Sequence, residues 1–462
     1  MNRPWPAKKG VRLRKRRAHG QAHDIQIFQE ASAIQSFMKY DVLVIGAGIS
    51  GLAAAQSIAA QGRKVAVLEA RSRPGGRIFS AFPPHSDLPV ELGAEFIHGR
   101  SAELWQLLTL AGLRPFELGG SVLCFDQEGL HECEEEAGGF ELMRTLPQEG
   151  PDQSFAAWAR QQNLPAGTVQ SALAYVEGFN AADAERISIR ALARQQAAED
   201  AIEGWRAFRV RQGYSALPAF LENQLRCAGG ELFFSTPVRS VRWQRGRVHV
   251  FARLEEQEQV FEARQCILTL PLGVLQSESV SFDPAPLPAL QAASQMVMGS
   301  ATRITFLFRE RFWESDCPDA HFLFSQSDLL RVWWTPSPDP APMLTGWIGG
   351  PRALDASLFS PQKLVGRGLT TLARIFSRPE HQLRELLISW HMHNWQQDPY
   401  SLGAYSYAPV GAADASEKMS IPIEETLYFA GEHTDTTGNW GTVHGALVSG
   451  LRAARQVAAC GP

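Results

Sequence analysis

Residues 40–78 read YDVLVIGAGISGLAAAQSIAAQGRKVAVLEARSRPGGRI. Val42 to Ile45 is a continuous apolar run of β-branched character, the pattern of a strand covered on both faces by helices. It runs directly into glycines. Gly46 permits a tight turn, Gly48 lets backbone approach a pyrophosphate with no Cβ in the way, and Gly51 lets the next helix pack close to the strand. Leu52 to Ala60 reads as that helix, whose free N–H groups and dipole favour phosphate charge without a cationic side chain. Lys64 to Leu68 reads as a second strand ending in Glu69, about 20 residues beyond the glycines, where a carboxylate accepts both ribose hydroxyls and repels a 2′-phosphate. Strand, turn, helix, second strand and acid in register imply a dinucleotide cofactor, which a lone glycine turn would not.

The 462 residues, 45% of them apolar, can bury a substantial core and suggest two or three domains. A net charge of −4 points neither to nucleic acid nor to strong membrane attraction. Cys124, Cys133, Cys227, Cys266, Cys317 and Cys460 are scattered, with no CxxC pair and no zinc-type histidine spacing, so reduced thiols in a cytoplasmic protein and no metal are expected. His391 and His393 flank Met392 in a predicted strand and so share a face; hydrogen bonding is their expected use. No stretch reaches the roughly 18 apolar residues of a membrane span.

The first 37 residues carry Lys8, Lys9, Arg12, Arg14, Lys15, Arg16 and Arg17 with no apolar segment after them, which supports no signal peptide. They read as a disordered basic extension, with a nucleic-acid arm as the alternative. Met38 precedes the first strand, which suggests that translation starts there.

Downstream, Glu91 to Gly99 reads as a strand leading into a loop, Ser101 starts a helix, and Asp152 to Ala201 is mostly helical. A helix is predicted from Ala216 to Cys227, then strands at Val238–Trp243, Val248–Phe251 and Cys266–Leu270. Ile304, Phe306 and Phe308 share one face of a later strand, with further strands at Phe322–Phe324, Leu329–Trp334, Leu344–Ile348 and Leu387–His393. Consecutive strands without intervening helices imply an antiparallel sheet. The expected class is α/β: a doubly wound, Rossmann-like cofactor domain (38–100, 205–288 and 395–462) interleaved with an α+β substrate domain (101–204 and 289–394).

Six segments in order, LEARSRPGGR (68–77), ELGAEFIHG (91–99), TLPLGVLQ (269–276), WQQDPYSLGAYS (395–406), FAGEHT (429–434) and GTVHGALVSGLRAA (441–454), together resemble the flavin-containing amine oxidases. That family includes monoamine oxidases, polyamine oxidases and lysine-specific histone demethylases, and the likeness spans about Lys39 to Val457. The resemblance implies FAD. It assigns Gly46, Gly48, Ser50 and Gly51 to the pyrophosphate, Glu69 to the adenosine ribose, and Arg71, Gly76 and Arg77 to the phosphate and flavin side. Val238 is similar to a valine whose main chain meets the adenine; Gly431, Glu432, Thr442 and Val443 look like residues closing over the ribityl chain and flavin.

The implied reaction takes a hydride equivalent from the α-carbon of an amine to flavin N5, after which the imine hydrolyses and oxygen or another acceptor reoxidises the flavin. Trp395 and Tyr405 match positions beside the flavin, with core filling as the alternative; for Trp440 the two readings are even. Thr442 stands where monoamine oxidases carry the second tyrosine of a cage, so the pattern is closer to polyamine oxidases and histone demethylases. Ala404 replaces the cysteine of covalent flavin attachment, implying noncovalent FAD. Arg303, in TRITFLF, replaces the family lysine that assists oxygen; a planar, permanently charged guanidinium is no substitute for an ammonium holding one water, so weakened oxygen reactivity is expected. The alternative is an Arg on a solvent-facing strand edge. Glu95, His98 and Glu177 are candidates to attract a cationic polyamine, or are solvated faces. The partner expected is a small-molecule amine. The alternatives are an FAD-dependent dehydrogenase or desaturase of a non-amine substrate, and a redox-silent FAD-fold binding protein.

Overall fold

A computed structural model describes residues 38–133, 139–325 and 328–460. The expectations for the basic extension 1–37 lie outside them.

The first sheet has the strand Met38–Ile45 near its centre, paired in parallel with Val65–Leu68 on one side and Gln257–Leu268 on the other. Glu231–Phe233 extends one edge, while Arg247–Leu254, Val238–Gln244 and Ser281–Asp283 extend the other; Leu427–Phe429 also pairs in parallel with Gln257–Leu268. Val42, Leu43 and Val44 are fully buried because helices and hairpin strands cover both faces of this sheet. The helix joining the first two strands runs Ile49–Ala59, starting three residues before the apolar run suggested, because the turn residues themselves enter the first helical turn. It packs against the helices Ala216–Cys227 and Val443–Ala459. A Cβ on Gly450 would lie 2.1 Å from the Ser50 carbonyl oxygen, so only glycine allows Ile49–Ala59 and Val443–Ala459 to cross this closely.

A second sheet has the order Leu387–His391, Ala301–Phe308, Met343–Gly349, Val332–Trp334, Ala320–Ser325, Ser121–Asp126, Gly129–Glu132. It is antiparallel except where Ala320–Ser325 runs parallel to Ser121–Asp126, a pair contributed by distant segments. Ile304, Phe306 and Phe308 pack on the helix Pro361–Ile375 through Leu364, Leu369 and Leu372. The opposite face of that strand is buried too, so Arg303 does not lie at a solvent-facing edge.

The helical stretch resolves into Phe155–Arg160, Ala166–Phe179 and Ile189–Asp200; the hydroxyls of Ser154 and Ser188 accept the Ala157 and Ala191 amides at 3.2 and 3.0 Å and start the first and third. Three expectations are corrected. Cys124 and Cys133 are joined in a disulfide rather than left as thiols, since hairpin pairing sets their Cα atoms 5.0 Å apart. Residues 91–99, expected as a strand leading into a loop, hold instead two short strand ends, Val90–Glu91 and Ile97–His98, with the chain between them pressed at Gly93 so close to the Arg77 carbonyl that a Cβ would lie 1.9 Å from it. His393 lies beyond the strand that holds His391. His391 meets the Ser389 hydroxyl at 3.0 Å and His393 the Asp398 carboxylate at 2.7 Å. No helix among the described residues is long and apolar enough to cross a membrane.

Candidate active site

Gly46 has φ +105°, and a Cβ there would lie 2.5 Å from Thr269 Oγ1; a Cβ on Gly51 would lie 2.0 Å from the Gly46 carbonyl oxygen. Turn and helix therefore close on each other through backbone, with the Thr269 hydroxyl pressed against the turn. Thr269 donates its hydroxyl to the Ile45 carbonyl at 2.8 Å and seals the turn from the neighbouring strand. Beside Gly48, by contrast, nothing lies within 4 Å of the Cβ position, and this opening faces a cavity of about 1980 Å³. The first-turn amides of Ile49–Ala59, which have no intrahelical acceptor, border it. Buried Glu69 accepts the amides of Ala47 and Arg71 at 2.6 and 2.8 Å, leaving carboxylate lone pairs for a ribose. An open cradle of amides followed by a buried acceptor fits a diphosphate joined to a ribose.

Across the same cavity, Arg77 donates to the Ala404 carbonyl at 2.7 Å and to Glu432 at 2.9 Å. Glu432 also accepts the Ser406 hydroxyl at 2.6 Å and the Gly441 amide at 3.1 Å. Burial alone would raise its pKa, but the Arg77 guanidinium and these donors hold it below the usual carboxylate range. Gly431, at φ +130°, turns the chain out of Leu427–Phe429 into Glu432. Thr442 caps the helix Val443–Ala459 by accepting the Gly445 amide at 3.0 Å, which brings a second helix N-terminus to the cavity. Val238 opens its strand at the cavity edge. Arg71 holds Asp398 at 2.8 and 3.0 Å and the Ser401 hydroxyl at 2.9 Å.

At the other end, Arg303 donates to the Gly93 carbonyl at 2.9 Å and to Glu95 at 2.5 Å, and Arg209 pairs with the other Glu95 oxygen at 2.8 Å. The Trp334 indole adds a hydrogen bond to Glu95 at 3.2 Å. Burial would raise the Glu95 pKa; the two guanidiniums outweigh it and keep the carboxylate ionised. Glu95 is thus committed to two arginines and offers no free charge to a polyamine, contrary to expectation. Beside it stands an aromatic wall. The Tyr405 hydroxyl donates to the Phe179 carbonyl at 2.6 Å, and the Phe179 ring stacks on Tyr175 at 5.4 Å and meets His98 edge-on at 5.5 Å. Gly441 makes room for this arrangement, since its Cβ would lie 2.9 Å from the Tyr405 ring. Burial pulls the His98 pKa down to about 4, so His98 is neutral at neutral pH and brings no charge to the site. Trp395 hydrogen-bonds the Leu92 carbonyl at 2.8 Å; Trp440 bonds the Asp435 carbonyl at 2.8 Å and packs among alanines and methionines.

Every candidate catalytic or cofactor-binding residue named from the sequence except Gly51, whose place is between strand and helix, borders this one cavity; Trp440 and Glu177 do so as well. Arg209, Thr269 and Asp398 escaped attention. Asp398 lies inside a motif quoted above, but nothing local marks it as the partner of Arg71 and His393, which with burial and the Tyr400 amide leave its pKa at about 2.

The chain matches the family model described as flavin containing amine oxidoreductase over residues 49–160 and 141–458. It is 27% identical over 451 residues to lysine-specific histone demethylase 1 homolog 2 of Arabidopsis thaliana, covering 90% of this chain but only 58% of that protein. It is 28% identical over 455 residues to polyamine oxidase 3 of Oryza sativa subsp. japonica, covering 90% and 88%. Among solved structures, a putrescine oxidase double mutant superposes with a TM-score of 0.79 at 21% identity, covering 92% of this chain and 100% of that one. Cyclohexylamine oxidase from Brevibacterium oxydans IH-35A gives 0.76 at 20% identity, covering 91% and 99%. At such identities the structural likeness is one of fold.

Proposed function

Because the chain belongs to the flavin containing amine oxidoreductases, and is accordingly an FAD-dependent oxidoreductase of amines, we propose that it oxidises a small aliphatic amine of polyamine type with noncovalently held FAD. The observation that carries this reading is the continuity of one cavity from the glycine turn to the Tyr405–Phe179 wall. In it, Gly46, Gly48, Ser50, Glu69, Gly76, Arg77 and Val238 hold the nucleotide half in a Rossmann-type cradle, and Gly431, Glu432, Thr442 and Val443 hold the flavin half. On this reading 38–100, 205–288 and 395–462 carry the cofactor and 101–204 and 289–394 the substrate.

Bound FAD supplies a two-electron acceptor for the hydride leaving the carbon beside the amine nitrogen. The protein's part is placement and exclusion of water. Tyr405 stays protonated, since burial and Glu432 raise its pKa, and His98 stays neutral. The wall therefore suits an uncharged amine, the form that has a lone pair to assist hydride loss.

Arg303 favours a second reading of the electron acceptor. Tied to Gly93 and Glu95, its guanidinium is not free to hold a water as an ammonium would, which supports slow reaction with oxygen and an alternative acceptor. An anaerobic screen of amines against the purified protein tests the main reading: a polyamine should bleach the flavin absorbance, and failure of every amine to do so would overturn it. Acid precipitation should leave free FAD in the supernatant; flavin remaining on the pellet would contradict noncovalent binding.

A further inference from the structure

The helix Ile189–Asp200 ends in two carboxylates, Glu199 and Asp200, with no basic residue in its last turn. That is the wrong end for negative charge, because the exposed carbonyls of a helix C-terminus repel it. Asp200 is exposed, whereas Glu199 is largely enclosed and borders the cavity. Among the described residues Glu199 forms no ion pair; its one side-chain hydrogen bond comes from Gln195, four residues earlier, at 3.0 Å. Gln195 in turn accepts from the Asn180 amide group at 3.1 Å, an arrangement that commits Asn180 Nδ2 and leaves Asn180 Oδ1. That oxygen is buried and has no hydrogen-bond partner, and Asn180 also borders the cavity. A carboxylate with one neutral donor and no cation, and an orphaned amide oxygen, are linked through one glutamine, and both have acceptor capacity to spare.

Resting on the amine-oxidising reading above, we infer that Glu199 and Asn180 form a specificity subsite that takes the second, non-reacting ammonium of a di- or polyamine. A group with several N–H donors and a positive charge satisfies both acceptors at once and removes the mismatch with the helix end. Burial with no cation nearby lifts the Glu199 pKa to about 7, as expected of a carboxylate whose partner arrives with the ligand. The position is suitable. The Tyr175 ring stacks at 5.4 Å on Phe179, whose carbonyl accepts the Tyr405 hydroxyl, and the Glu199 charge acts on the Tyr175 hydroxyl, so Tyr175 stands between the subsite and the proposed reaction wall. The contrast with Glu95 is chemical: that carboxylate already has its cations, and Glu199 has none.

The test compares spermidine with octylamine on the FAD-loaded protein, wild type against Glu199→Gln and Glu199→Asp. Glu199→Gln should raise KM for spermidine tenfold or more, with kcat within about twofold, and leave KM for octylamine unchanged; Glu199→Asp, which keeps the charge, should recover part of the loss. Without amine, Glu199→Gln should melt at a higher temperature than wild type, because an uncompensated charge is gone. A merely structural glutamate would give a lower melting temperature and equal effects on both amines, and that pattern would sink the inference. If spermidine KM is unmoved while a lysine-rich peptide loses affinity, the subsite belongs to a peptide and the inference is wrong. Failure of both amines to bleach wild-type flavin under anaerobic conditions would instead strike the parent reading.

Discussion

At the turn end of the cavity, charge is met by backbone: the amides after Gly48 face outward, Glu69 is pinned by two more, and glycines keep the chain close enough for all of them to converge. At the wall end, charge is met by side chains, with Glu95 between Arg303 and Arg209 and all three buried. The two solutions differ in what they tolerate. A backbone cradle tolerates changes in most side chains but not an added Cβ. A buried ionic cluster tolerates no lost partner, because removal strands the others in a poor dielectric.

The largest effect should therefore come from Glu95→Ala, which takes from two buried guanidiniums the carboxylate that pairs with both and should lower unfolding free energy by about 3–5 kcal/mol in denaturant titration. A loss below about 1 kcal/mol would mean that the arginines find water and that the two ends are less different than stated. Next, Gly51→Ala should cost about 1–3 kcal/mol by overpacking against the Gly46 carbonyl. It should also lower the flavin-to-protein absorbance ratio of the purified protein, while an undiminished ratio would show that the cradle has slack.

Arg303→Lys sharpens the comparison from the other side. Stopped-flow reoxidation should quicken about tenfold, roughly 1.4 kcal/mol in barrier, and equal rates would remove the case for an alternative acceptor. Asp398 is bound to Arg71 and His393 and depressed to a pKa of about 2 from 3.8. A lowered folded-state pKa means that its contribution is present in full above about pH 4 and is lost as pH falls toward 2. The stability gap between wild type and Asp398→Asn should accordingly be wide at pH 6 and narrow at pH 2.5; a constant gap would show that Asp398 acts by shape rather than charge. The smallest effect is expected at Ser188→Ala, far from both ends, where loss of the cap on Ala191 should cost about 1 kcal/mol with the flavin ratio unchanged.

The turn end was legible in the sequence because its parts are neighbours in the chain, and glycine at Gly46 or Gly51 signals its own conformational reason. The helix Ala216–Cys227 was legible for the same cause, since its apolar period is local. What could not be read was whatever depends on register between distant segments. Arg303 and Glu95 are 208 residues apart, and a glutamate in ELGAEFIHG looks equally suited to a substrate cation until the fold lays two arginines against it. Cys124 and Cys133 become partners only through hairpin pairing, which no cysteine motif announces. Ser121–Asp126 likewise joins the second sheet in parallel from far upstream, where consecutive-strand reasoning does not reach.

The crossing of Ile49–Ala59 and Val443–Ala459 at Ser50 and Gly450 has a temporal consequence. The Ser50 hydroxyl meets that of Ser449, 399 residues away, at 3.2 Å. On the ribosome the opening strand–turn–helix emerges long before the segment it must lean on exists. Cofactor capture is therefore a late step of maturation, and a nascent chain halted before Val443 should carry the glycine turn yet remain colourless.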